Sequence, residues 1–303
     1  MNSESSTVIT SSELGIPTNP DETPLLTEAR PEPYLTIRPS RGWVALDLRE
    51  LWQFRDLLFS LTDRDLKLRY KQTALGVIWV ILQPLMAAGV FSFVFGSVAK
   101  LPSGGLPYLV FSFAGLLGWN YFSGILGKTS GCLLGNSHLI SKVFFPRLIL
   151  PLSGIGSSLV DFGVAAGMMA ALLIGYRISP TPLLLLLPVW MLVLTAIAMG
   201  VGLCCAGLAV TYRDIGYILP VFTQLLLYAS PVAYSVTAVP ERLRWIYYLN
   251  PLTPPLEAIR ASLLGTPFPS FQPLLISSAF AAVVFMAGLY CFKRMERQFA
   301  DVI

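Results

Sequence analysis

The sequence predicts an all-α integral membrane protein of six spans, on three observations. Of 303 residues, 54% are hydrophobic and only 13% charged, about half the roughly 25% charge of a soluble domain. Six stretches run without charge: Gln72 to Ala99, Leu101 to Gly127, Leu148 to Tyr176 (broken only by Asp161), Ile178 to Tyr212, Ile215 to Pro240 and Ala261 to Phe292. Each exceeds the roughly 20 apolar residues that cross a hydrocarbon core of about 30 Å. The stretches are continuously apolar instead of alternating, which argues against a closed barrel and for helices, whose backbone bonds are satisfied within each segment.

Composition excludes several classes. A net charge of +4 is too small a surplus to indicate a nucleic-acid binder. A single histidine, His138, rules out a multi-histidine metal centre within one chain. Cys132, Cys204, Cys205 and Cys291 lack CxxC spacing and sit in apolar surroundings, so neither a zinc site nor a disulfide framework is indicated.

Taken in order, residues 1–45 form a tail rich in Ser, Thr, Pro and acids, with no basic segment before an apolar run and hence no cleavable signal. It cannot bury enough apolar surface to order itself and is expected to be a disordered cytoplasmic tail, with a short extended piece at 34–37. Residues 46–70 read as amphipathic interface helices. Leu51, Phe54, Leu58 and Leu61 recur at helical spacing, with Gln53, Arg55, Asp56 and Ser60 opposite. A second helix is expected to start at Thr62 as cap, with Asp65 in its first turn, and to run through Tyr70 into the first span. This region reads either as a membrane-surface anchor or as a docking face offered by the mixed charges Asp63, Arg64, Asp65, Lys67 and Arg69.

The transmembrane domain, 71–303, is expected to span near 76–98, 106–127, 150–174, 183–209, 217–234 and 273–292. An even count puts both termini on one side. Only Lys100, Arg177, Arg242, Arg244 and Arg260 fall on the opposite side, leaving sixteen of the 21 basic residues with the termini, which the positive-inside rule makes cytoplasmic. No internal repeat of the kind found in many secondary transporters is evident.

Between the second and third spans lies a cytoplasmic coupling loop, 128–147. Asn136 or Ser137 can cap a short helix through Leu139, Ile140, Val143 and Phe144, ended by Pro146. Its exposed apolar side chains need a cover: headgroups, other spans or a soluble partner. Gly124 to Thr129 imitates the end of a phosphate-binding P-loop, but the required glycine is Phe122 and the segment closes an apolar span. Ser97 and Lys100 match Ser-x-x-Lys without any companion for acyl transfer.

Asp161 is the one carboxylate inside a span, a costly placement. It could face a hydrated path, cap a helix broken near Gly154 and Gly156, couple proton movement, or rest hydrogen-bonded among helices. Gly163 and Gly167 after it form a GxxxG pair that suits close helix approach. On the outer side, 240–265 predicts two short helices: one from Pro240 with Leu243, Trp245, Ile246 and Tyr248, the other from Thr253 to a stop at Gly265. They suggest a re-entrant or interfacial pair before the last span. Trp245, Tyr247 and Tyr248 serve either as an aromatic belt or as a stacking surface for sugar rings.

Several stretches resemble the membrane permease subunit of bacterial polysaccharide-exporting ABC transporters, the O-antigen, capsule and teichoic-acid exporters. They are Arg64 to Trp79 (RDLKLRYKQTALGVIW) with Gln83-Pro84; Asn136 with Leu139-Ile140 and Lys142 to Arg147 (KVFFPR); Tyr212-Arg213-Asp214; Ser230 to Tyr234 (SPVAY); Asn250-Pro251; and Arg260. They recur in the family's order over about five sixths of the chain; the tail is not covered. The resemblance implies a homodimer of six-span subunits in the bacterial inner membrane, working with two separate cytoplasmic ATPases that carry ATP and Mg. No cofactor is expected in this chain, and no catalytic residue. The ATPase contacts it implies are Arg55, Asp56, Asp63, Arg64, Asp65, Lys67, Arg69, His138, Ile140, Lys142, Phe144 and Phe145. Tyr70, Trp79, Trp119, Tyr121 and Asp161 are candidate substrate-path residues; Trp245, Tyr247, Tyr248, Asn250 and Arg260 are candidates for an outer gate. The expected cargo is a lipid-linked polysaccharide moved out of the cytoplasm, as in lipopolysaccharide biosynthesis. The alternatives are an ABC exporter of a drug, lipid or other small amphiphile, a proton-coupled secondary transporter using Asp161, and a membrane-embedded glycan-processing enzyme, for which the sequence offers no clustered acids, histidines or nucleophile–base set.

Overall fold

The computed structural model describes residues 48–70, 78–179 and 181–296, and every regular element among them is helical. The tail and residues 71–77, between the amphipathic helices and the first span, lie outside the described residues, as does the extended piece expected at 34–37.

Helix α1 (Leu48–Gln53) leads into α2 (Arg55–Tyr70). The break falls at Phe54, not at Thr62. Thr62 sits inside α2 and donates its hydroxyl back to the Leu58 carbonyl at 2.9 Å, a bond threonine makes within a helix instead of capping one. The face carrying Leu51, Phe54, Leu57, Leu58 and Leu61 packs into the protein core, on the helix Ile149–Gly175, while Trp52 and Phe59 remain exposed.

Among the described residues, five helices are long and apolar enough to cross a membrane. The first is α3 (Ile78–Phe91), which continues as a π-helix over Ser92–Val98. Its wider turn coincides with Gly96, where a Cβ would lie 2.8 Å from the Tyr108 ring. The others are α4 (Tyr108–Gly135), α6 (Ile149–Gly175), α7 (Leu187–Thr211, entered through a 3-10 turn at Pro182–Leu186) and α11 (Phe271–Glu296). Helix α6 is unbroken through Gly154 and Gly156, so Asp161 caps no interruption. Gly156 instead lets Thr62 approach, since a Cβ there would be 2.9 Å from its side chain.

The span expected at 217–234 is α8 (Ile215–Ala229), apolar but only 15 residues long, about 22 Å at 1.5 Å per residue. Its helix stops before Ser230-Pro231, because a residue preceding proline is pushed from the α region. The chain then turns through 230–235 and a short 3-10 turn at Val236–Ala238 into α9 (Glu241–Leu249) and α10 (Thr253–Leu264). Gly265 ends α10 with φ 68°, the left-handed position that favours glycine.

The short helix of the 128–147 loop is α5 (Ser137–Lys142). It ends before Val143 and Phe144, which were expected within it; Val143 is already extended, and the chain stays non-helical to Pro146.

Helix α4 is the centre of the bundle, buried over most of its length. It packs against α3, α6, α7 and α10, and α7 in turn packs along α11. Glycine meets glycine where α7 and α11 pack: a Cβ at Gly200 would meet the Val284 carbonyl oxygen at 2.5 Å, and one at Gly288 the Gly200 carbonyl oxygen at 2.1 Å. A Cβ at Gly163 or Gly167, by contrast, would meet nothing outside its own helix backbone within 4 Å among the described residues.

Candidate functional site

Three constellations stand out, one at each end of the bundle and one between. At the end carrying α2, Arg64 joins the amphipathic helix to the loop. Its guanidinium donates to Asp65 Oδ1 at 2.9 Å and to Asn136 Oδ1 at 2.7 Å. Asn136 stands at the N-cap position of α5, but its side chain does not cap; its amide donates to Cys132 O, which orients the oxygen toward Arg64. Farther along the loop, Arg147 donates to the Glu296 carbonyl at the end of α11.

The candidate docking residues spread across this end. Arg55 lies 3.8 Å from Asp56 and over the Trp52 ring, Asp63 pairs with Lys67, and all four are exposed. His138, Lys142 and Phe144 are exposed as well. Ile140 is packed against the core and Phe145 is buried in it, so Phe145 offers no surface to a partner. The side chains of Arg69 and Tyr70 fall outside the described residues.

Between the ends, α3, α4, α6 and α8 line an open cavity of about 660 Å³. Lys128 and Asp161 meet on its wall: Nζ donates to Asp161 Oδ2 at 3.1 Å and to Ser157 Oγ at 2.8 Å. The pair joins α4 to α6 and satisfies two charges that would be expensive to bury singly. Trp119 and Tyr121 line the same cavity. Both are nearly buried, with Trp119 against Phe122, and with the Tyr121 hydroxyl 2.8 Å from Thr195 Oγ1. Trp79, about half exposed on α3, is not among the lining residues. A second cavity of about 280 Å³, lined by Asp65, Asn136 and Ser153, shares Gly127 and Lys128 with the first. The segment Gly124 to Thr129 is continuous α4 helix, so its amides are used within the helix and cradle no phosphate.

At the α10 end, Arg260 is 2% exposed. Its Nη2 donates to the carbonyls of Pro231 and Val232, both at 2.7 Å, and its Nη1 to Tyr234 O at 3.3 Å. The guanidinium lies 4.1 Å from the Phe111 ring centroid. Gly115 makes room, since a Cβ there would be 2.2 Å from Val232 O and 2.6 Å from Arg260 Nη2. Burial draws the Arg260 pKa down to about 10, opposed by nearby Glu257. Glu257 is held above the usual carboxylate range by burial, opposed by the Val236 N–H it accepts at 3.2 Å and by Arg260. Asn250 donates to Ser230 Oγ at 2.9 Å. The Tyr234 and Tyr247 hydroxyls lie 3.1 Å apart with their rings edge to face. Tyr248 is half-buried and Trp245 exposed. Arg260 therefore clasps the turn after α8 to α4 and α10, and Tyr247 of α9 meets that turn through Tyr234.

Sequence reasoning missed Lys128 as the partner of Asp161, and missed Ser157, Phe111 and Glu257. One cation at the end of an uncharged stretch and one anion inside another was the available signal. Phe111 and Glu257 left none, because contacts across the bundle have no sequence period.

The profile of the family described as ABC-2 type transporter matches residues 56–264. Among similar proteins, the O-antigen export system permease protein RfbA of Myxococcus xanthus is 30% identical over 84% of this chain and 98% of its own length. An RfbA of Klebsiella pneumoniae is 27% identical over 82% of this chain and 95% of its own. The polysialic acid transport protein KpsM of Escherichia coli is 24% identical over 78% and 92%.

Proposed function

The chain belongs to the ABC-2 type transporter family, and from that premise we propose that it is the transmembrane subunit of an ATP-driven exporter of lipid-linked polysaccharide. The observation that carries this reading is the nearly end-to-end match to an O-antigen export permease. Two copies would form the conduit in the bacterial inner membrane, with α8 completing six spans and both termini in the cytoplasm. ATP and Mg would be bound by two separate cytoplasmic subunits docked at the α2 end.

The mechanism requires the ATPase dimer to bind two permease conformations with different affinity, because a ligand shifts an equilibrium only by that difference. Exposed Asp63, Lys67, His138 and Phe144 would make the contact. The Arg64–Asn136 bond would pass a shift of α2 to the loop, and Arg147 would pass it on to α11. At the other end the Arg260 clasp would hold the turn beneath the α9 aromatic residues, the proposed gate. The proton-carrier reading of Asp161 gains no support from its ion pair with Lys128.

Affinity purification in mild detergent tests the reading. The expected result is a nucleotide-binding subunit in equal stoichiometry and glycan transport into vesicles that requires ATP. Vectorial transport by the purified chain alone, driven by a proton gradient, would overturn it.

A further inference from the structure

One buried polar group remains without a partner beside the central ion pair. Ser158, 2% exposed, lines the 660 Å³ cavity, and its Oγ has no hydrogen-bond partner. One turn along α6 is Asp161, paired to Lys128 with side chains 20% and 30% exposed. The pair is therefore reachable from the cavity, and Lys128 also borders the second cavity. The volume lies within the roughly 300–1,000 Å³ of small-molecule sites.

We propose that Lys128, Asp161 and Ser158 form a saccharide subsite that binds a diol of the passing glycan. This rests on the reading of the chain as a polysaccharide permease and names the part of the cargo that the wall recognises. The wall offers an ammonium, a carboxylate and an unpaired hydroxyl. A diol complements all three: one hydroxyl donates to Asp161 while its oxygen accepts from Lys128, and the neighbouring hydroxyl pairs with Ser158. A free anion meets the Asp161 carboxylate and a cation meets Lys128. An apolar guest dehydrates the pair and leaves Ser158 orphaned, which is unfavourable. Asn120 on the same wall supplies a further amide, and Trp119 an apolar ring for the C–H face of a sugar.

Gly127 gives a test that leaves the subsite residues in place. It lines the cavity next to Lys128 and a Cβ there would meet nothing within 4 Å, so Gly127→Cys places a thiol at the rim of the subsite. Maleimide labelling of this variant is measured on the purified permease in nanodiscs, with the native thiols as background. Neutral oligosaccharides of glucose, galactose and mannose are the probes, with inorganic phosphate for comparison. Labelling is expected to slow about threefold at saccharide concentrations twice the dissociation constant, and phosphate to leave it unchanged. Asp161→Asn in the same background is expected to weaken protection about tenfold. Ser158→Ala, which keeps the ion pair, is expected to weaken it too and keeps the test sound if Asp161→Asn fails to fold. Equal labelling with and without every saccharide, or protection by phosphate alone, overturns the proposal. No ATP is needed, so failure to recover an ATPase partner would sink the transporter reading without altering this result.

Discussion

Gly288 rests its Cα against the backbone of Gly200, leaving no room for a side chain: a Cβ at Gly288 would sit 2.1 Å from the Gly200 carbonyl oxygen. With backbone as the obstacle, relief requires moving a whole helix. Gly288→Val is expected to lower stability by about 3 kcal/mol or more, or to prevent accumulation in the membrane. Gly163→Ala and Gly167→Ala face open space within the chain and are expected to be neutral or to stabilise by up to about 1 kcal/mol as monomers, alanine being the better helix former. Unfolding in detergent, followed by circular dichroism, separates the two groups; equal effects would disprove the tight α7–α11 contact.

The Arg64–Asn136 bond calls for a double-mutant cycle. Arg64 is part-exposed, so the bond is expected to contribute about 1 kcal/mol, less than a fully buried charged hydrogen bond. Arg64→Ala and Asn136→Ala should each reduce coupling between ATPase rate and transport, and the double variant should be no worse than the more damaging single one. Strictly additive losses would mean that the two residues act separately.

Five long helices were legible because lipid imposes one pattern on them, a long uncharged run; the uncharged run that holds α8 is broken by Pro231 into a shorter helix; and α9 and α10 were legible through Pro240, Thr253 and Gly265. Internal packing was not. Thr62 carries the signature of a cap, but a helix continuing onto α6 offers its hydroxyl the Leu58 carbonyl instead. The apolar stripe of α2 has the same spacing whether it meets lipid or α6, so sequence alone left its cover open. Asp161 was conspicuous as a lone charge; that Lys128, rather than water or a proton, answers it depends on how α4 and α6 cross.

Arg260 is expected to resist replacement by lysine. Its planar fork reaches two carbonyls with one nitrogen and a third with another, while lysine presents a single point of charge. Arg260→Lys is expected to cost at least about 2 kcal/mol by leaving buried carbonyls unpaired, and to loosen the turn at 230–234. Faster proteolysis or hydrogen exchange confined to 230–250 would report this; an unchanged exchange pattern would contradict the clasp.

Glu257 next to that clasp gives the α10 end a pH dependence of definite sign. Burial holds its pKa above the ordinary value, which is about 4.3 in an unfolded chain. The folded protein therefore binds the proton more tightly than the unfolded one. This contribution to stability is fully present below about 4.3 and is lost as pH rises through the folded pKa, after which it stays lost. Glu257→Gln removes the titration and keeps an oxygen to accept from Val236 N–H. The melting temperature of the purified wild type should therefore fall, relative to the variant, as pH is raised from about 4 through that window, and the difference should level off above it. Parallel curves at all pH values would show that the Glu257 carboxyl is not held in a disfavoured ionised state by burial.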